Sequence, residues 1–404
     1  MQIAENNSQH ATKILFNREF MLALLAAFFS AAALHSLTPT LPIYLARSGS
    51  NEREIGILVG TFAVAALISR LFVGTALSRY REKTVMMFGV LLSIASFFAS
   101  IVFRPFWPFF VIRCLQGATL ACMDTAVLAF ILSVIPVAYR TRALGYYMLA
   151  PSLALAVAAP FGMFIINRYG FNIFFLAGAA LGFCSFLMLI KIKGRAVAVE
   201  QQSASTQSSL ILDVKVIVPG VTAFLQFFAW GAISAFFPLY AVQCGVTNPG
   251  LFFSAMAIMM IVGRMFGGRI MDTCDKEKFI TSFIPAICVL LVVLSFSKTL
   301  PMFILVGGFW GIGVAFFVPV SMAYSLEYAG SSSGTAVSTF RALQDMGLGV
   351  GPVVMGTIAP VVGYETMFRW LAVISFINFC YFQFYVRRRR RILPVEERVM
   401  KSGD

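Results

Sequence analysis

The chain has 404 residues, 59% of them hydrophobic and only 12% charged, and its mean hydropathy is +0.86. A soluble domain carries about 25% charged residues, so this balance excludes an ordinary water-soluble globule and points to a membrane protein. The formal net charge of +14 sits in short basic clusters between apolar runs. Loops held against a membrane surface look like this, whereas nucleic-acid binding needs a continuous basic face, so no nucleic-acid partner is expected.

Residues 1–19 are polar, lack a cleavage-site pattern and read as a cytoplasmic tail. Twelve apolar runs long enough to cross about 30 Å of hydrocarbon follow, at 20–45, 55–78, 84–103, 107–135, 142–166, 171–190, 215–242, 250–271, 279–297, 301–328, 334–362 and 365–386. The predicted fold is an all-α membrane protein of twelve transmembrane helices. Residues 192–214, rich in Ser and Gln, form a polar linker between six-helix bundles at 20–191 and 215–386, and a basic tail occupies 387–404. Alternate loops concentrate Lys and Arg, so both termini are predicted cytoplasmic in a multi-pass membrane protein. The tail run Arg387 to Arg391 adds a contact for lipid phosphate. Seven cysteines show neither a CxxC pair nor metal-ligand spacing, so no metal site, disulfide framework or cofactor is expected.

In chain order, span 1 holds His35, the one histidine inside a span; it is either a titrating group or a satisfied structural residue. Span 2 ends in "LISRLFVGTALSRYREKT", with Arg70, Gly74 and Arg79. Span 4 carries Arg113, Gln116 and Asp124. Arg113 and Asp124 share a helix face roughly 16 Å apart. An ionisable group within a span is costly and is a functional candidate. Asp124 is read as a proton carrier, with a permanent Asp–Arg pair as the alternative. Span 8 ends in "IVGRMFGGRIMDTCDKEK", where Arg264, Phe266 and Gly268 repeat Arg70, Phe72 and Gly74 at the same spacing, followed by Asp272. The prolines Pro160 in span 5 and Pro352 in span 11 form a second echo. The chain is therefore read as a duplicated six-helix half, an organisation associated with alternating-access carriers.

The repeated arginines near helix ends predict a breakable charged latch, and the glycines beside them predict close helix contact. Glu327, near the end of span 10, is a latch partner. Arg341 and Asp345 share a face of span 11 and favour an intrahelical pair within the gating set. Gly351 and Pro352 mark a bendable seal.

"GTALSR", "GRIMDT", "RCLQGA", "AVAAPFG" and "GLGVGPVVMG" resemble the signature segments of the major facilitator superfamily. "LTPTLPIYL" and "REIGILVGTFAVAALISR" resemble its proton-driven exporters of the arabinose-efflux-permease-like branch. The first signature loop has Ser78 where the second has Asp272. The resemblance implies two pseudo-symmetric six-helix bundles with spans 1, 4, 7 and 10 lining a central cavity. It turns Asp124, Arg113 and His35 toward proton coupling, and Gln116, Gln226, Trp230, Tyr240, Trp310 and Tyr324 toward substrate. The expected function is proton-coupled efflux of a small organic molecule by a monomer whose partners are substrate, protons and lipid. Alternatives are an importer of a siderophore or other nutrient and, in another class, a non-transporting membrane sensor. No catalytic constellation suggests an enzyme.

Overall fold

Hydrocarbon offers no water to backbone N–H and C=O groups, so an apolar chain of this kind must satisfy them within helices. The computed structural model describes residues 17–103, 106–193, 213–266, 275–329 and 334–389, and every regular element among them is helical. In order these are α1 (Arg18–Arg47), α2 (Glu52–Leu77), α3 (Glu82–Val102), α4 (Phe106–Val134), α5 (Arg140–Tyr169) and α6 (Phe171–Ile190). They continue with α7 (Val214–Gln243), α8 (Gly250–Phe266), α9 (Lys276–Phe296), α10 (Leu300–Ala329) and α11 (Gly334–Cys380). Ten described helices are long and apolar enough to span a membrane; the shorter α8 has 17 described residues.

The predicted eleventh and twelfth spans are two arms of α11, divided where Gly363 adopts φ 77° and ψ 162°. Glycine enters this left-handed region without steric cost, so the chain can turn there and continue. A π-helical turn, Tyr381–Val386, follows the second arm.

Polar residues set the helix starts. The Asn17 side chain accepts from the Phe20 N–H at 2.8 Å. At α2, the Glu54 N–H donates to Asn51 Oδ1 at 2.9 Å and the Asn51 N–H donates back to Glu54 Oε2 at 3.2 Å, a reciprocal capping box. Asp213 and Asp275 cap α7 and α9 in the same sense.

The chain divides into two compact units, one of Met1–Ser50 with Thr61–Ser208, the other of Asn51–Gly60 with Ser209–Asp404. In the first, Phe20, Met86, Ala126, Val127 and Phe130 form the core at one end of the helices. Tyr44 packs on Phe109, Phe171 and Phe175 at the other. The Ser185 hydroxyl donates to the Ala26 carbonyl at 2.8 Å, joining α6 to α1. In the second, Phe237 stacks close to Phe252, with ring centroids 4.1 Å apart, and meets Phe303 edge-on. Tyr381 donates to the Val218 carbonyl at 2.8 Å and Asn378 to that of Thr222 at 3.2 Å, tying the end of α11 to α7.

The first turns of α2, Asn51–Gly60, group with the second unit. The reason is local. A Cβ on Gly56 would collide with the Pro352 carbonyl oxygen and one on Gly60 with that of Gly349. Tyr364, just beyond the break, donates to Glu52 Oε1 at 3.3 Å.

Candidate functional site

Within the first unit, α1, α4 and α5 enclose a cavity with about 20 Å³ of water-accessible space, room for a single water. Ala27, Ser30, Ala31 and Leu34 line it from α1, Leu120, Met123 and Asp124 from α4, and Tyr147 and Pro151 from α5. The wall is apolar except for three groups. Asp124 Oδ2 lies 3.6 Å from Arg70 Nη2, and Tyr147 donates to Asp124 Oδ1 over a long 3.3 Å. The hydroxyl of Ser30 is buried and has no hydrogen-bond partner among the described residues. The carboxylate side chain is 45% exposed and the arginine 25%, so the protein itself does not seal the pair off.

This geometry speaks against the alternative of a permanent pair between Asp124 and Arg113. Arg113 is buried and donates to Gln116 Oε1 at 2.7 Å, its guanidinium 4.6 Å from the centre of the Phe62 ring. The ion partner of Asp124 comes instead from α2. The approach of α2 to α4 depends on Gly117, where a Cβ would strike the Phe62 carbonyl oxygen and sit 2.8 Å from the Ala65 Cβ. His35 is half-buried, does not line the cavity, and makes no hydrogen bond among the described residues. Tyr147 and Ser30 were missed. Both are polar groups inside apolar spans, a signal the sequence did contain.

In the second unit, Trp230 and Trp310 stand with ring centroids 6.4 Å apart. Trp310 is fully buried and Gln226 nearly so. The Trp310 Nε1 and Gln226 Nε2 lack hydrogen-bond partners among the described residues, which leaves two donors with unmet demand. Tyr324 is buried against Phe382. Tyr240 departs from its predicted substrate role: its hydroxyl donates to the Ser297 carbonyl at 2.7 Å, and its ring is buried against Phe303 and Phe368. It anchors α7 to the α9–α10 turn.

The pattern of the Major Facilitator Superfamily matches residues 23–296 and 250–401, two overlapping stretches that together span nearly the whole chain. The chain belongs to this superfamily. It is similar to the staphylopine export protein of Staphylococcus aureus (strain Mu50), 24% identical over 87% of this chain and 91% of that one. The quinolone resistance protein NorA of the same strain is 22% identical over 85% and 91%. Among solved structures, the nucleoside transporter NupG (D323A mutant) covers 98% of its own chain and 90% of this one, at 12% identity and a TM-score of 0.76. The human organic anion transporter MFSD10 gives 0.61 at 15% identity, covering 91% of this chain and 99% of its own. These likenesses place the chain among multi-pass membrane transporters, in an all-helical fold.

The superfamily's signature loops fall at the ends of α2 and α8. Gly268 and Asp272 lie outside the described residues, and Arg264 is half-buried at the end of α8. Gly74 corrects an expectation, because a Cβ there would meet nothing within 4 Å among the described residues; this glycine brings none of the described helices close. Arg79 is exposed, and Ser78, just past the end of α2, donates back to the Thr75 carbonyl at 2.7 Å. Glu327 forms an ion pair with Lys276, at the start of α9, and Glu277 pairs with Arg387. No ion pair joins Arg341 to Asp345 among the described residues, and Arg341 is exposed. The cation precedes the anion here, the weaker order along a helix. Gly351 has the crowded surroundings that Gly74 lacks. Its Cβ would collide with the Phe228 carbonyl oxygen and lie 2.9 Å from the Phe228 carbonyl carbon. Pro352 is buried beside it.

Proposed function

We propose that this transporter exports a small organic molecule across the bacterial inner membrane, driven by protons that bind Asp124. The carrying observation is the Asp124 carboxylate, 3.6 Å from Arg70 on the wall of a water-sized cavity. An ionised carboxylate holds the arginine, and a protonated one releases it, so a proton taken up here changes how α2 is tied to α4. Ser30 and Tyr147 flank that carboxylate and would relay a proton through a water. Support for the outward direction comes from the relatives named for export and for quinolone resistance. Gln226, Trp230 and Trp310 fit a ligand with hydrogen-bond acceptors and an aromatic or amphipathic body. The concentration of Lys and Arg in alternate loops supports cytoplasmic termini.

The test uses inside-out vesicles with an imposed pH gradient and a fluorescent quinolone, alongside an untargeted comparison of metabolites released by deletion and complemented cells. Gradient-driven uptake that Asp124→Asn abolishes is the expected result. Uptake in right-side-out vesicles alone overturns the direction, and gradient-driven flux unchanged in Asp124→Asn overturns the proton site.

A further inference from the structure

A second concave surface lies within the other unit. A groove of about 440 Å³ runs between α9 and the second arm of α11, and Cys288, Val292, Phe296, Arg369, Val373 and Phe376 are among its lining residues. The two helices are antiparallel here. The Cys288 thiol contacts the Ala372 carbonyl at 3.3 Å, and the Arg369 guanidinium sits 4.9 Å from the centre of the Phe296 ring. From Cys288 to Phe296 is about 12 Å along the helix axis. The groove is therefore about two turns deep and carries one cation, at the end where α9 stops and the second arm of α11 begins.

Phe296, Val292, Val373 and Phe376 are exposed. On membrane-spanning helices such a face meets acyl chains, and water is not its solvent. The neighbouring acid, Glu365, is already paired with Lys298, and Arg369 forms no ion pair among the described residues. Stacking on Phe296 covers one face of the guanidinium and leaves its edge donors for an anion. A cation at the rim and an apolar channel below it match the division of a phospholipid into phosphate head and acyl tail.

We propose that this groove is a binding site for one anionic phospholipid, with an acyl chain along α9 and the phosphate on Arg369. Native mass spectrometry of the purified full-length protein, titrated with phosphatidylglycerol or phosphatidylcholine, tests it. Wild type should retain one phosphatidylglycerol in preference to phosphatidylcholine. Arg369→Gln should weaken phosphatidylglycerol about fivefold and remove the preference. Val373→Trp, which fills the channel from an exposed position, should reduce binding of both lipids. Equal retention of the two lipids by wild type overturns the proposal whether or not the variants fold. So does unchanged phosphatidylglycerol binding by folded Arg369→Gln, or equal binding of glycerol phosphate, which has no acyl chain.

Discussion

At the level of single residues, what matters about Asp124 is its exposure as much as its partner. A partly exposed ion pair such as Asp124–Arg70 contributes about 0–1 kcal/mol where solvent reaches it, since two side chains lose freedom to form it. Asp124→Asn and Arg70→Gln should therefore shift thermal unfolding in detergent by no more than a few degrees. Gradient-driven flux should nonetheless be lost in Asp124→Asn, with substrate exchange retained. A large fall in unfolding temperature with proportionate loss of both activities would mark the pair as structural. Ser30→Ala removes a buried hydroxyl with no hydrogen-bond partner among the described residues and should leave stability unchanged or slightly raised while slowing proton-coupled flux. Equal proton-coupled flux in Ser30→Ala and wild type would exclude the hydroxyl from the relay.

At the level of the helix, glycines of the same type have opposite surroundings. Gly74 faces no described neighbour within 4 Å, so Gly74→Ala should be neutral or stabilise α2 by up to about 1 kcal/mol through backbone entropy. Gly351 lies against the backbone of Phe228, and any side chain there forces α7 and α11 apart. Sequence reasoning expects Gly351→Leu to insert normally and fail only in transport. The contact makes loss of folded protein the expected outcome instead, with Gly351→Ala intermediate. Size-exclusion profiles and unfolding temperatures of the three variants decide this, and a monodisperse Gly351→Leu would restore the bendable-seal reading. The capping box at α2 is a separate local device. Asn51→Ala removes it and should cost about 1 kcal/mol, read as a lower unfolding temperature.

For the whole molecule, the grouping of Asn51–Gly60 with the second unit predicts how the chain behaves when cut. Fragments divided in the polar stretch 194–213 should each contain complete helices and, co-expressed, should restore transport. The C-terminal fragment alone lacks Gly56 and Gly60, against whose backbones Gly349 and Pro352 pack, and should yield less monodisperse protein than the co-expressed pair. Equal yield and unfolding temperature in both cases would mean that the start of α2 adds nothing to the stability of that unit.

Helix positions were legible in the sequence because they depend on local quantities: run length, hydropathy, and polar caps such as Asn17, Asn51 and Asp213. The predicted ends mostly agree with the structure to within three residues, and the final pair of spans resolves into the two arms of α11 around Gly363. The family was legible too, since its signature segments are short and contiguous. Tertiary structure alone decided who pairs with whom. Arg113 and Asp124 share a helix face, yet their separation along the axis forbids contact, and Arg70 reaches Asp124 only because α2 lies against α4. Periodicity assigns a residue to a face of its own helix. Which neighbouring helix covers that face, how near its backbone comes to Gly74 or Gly351, and whether a tyrosine such as Tyr240 or Tyr147 meets a carbonyl or a carboxylate depend on packing between segments distant in the chain.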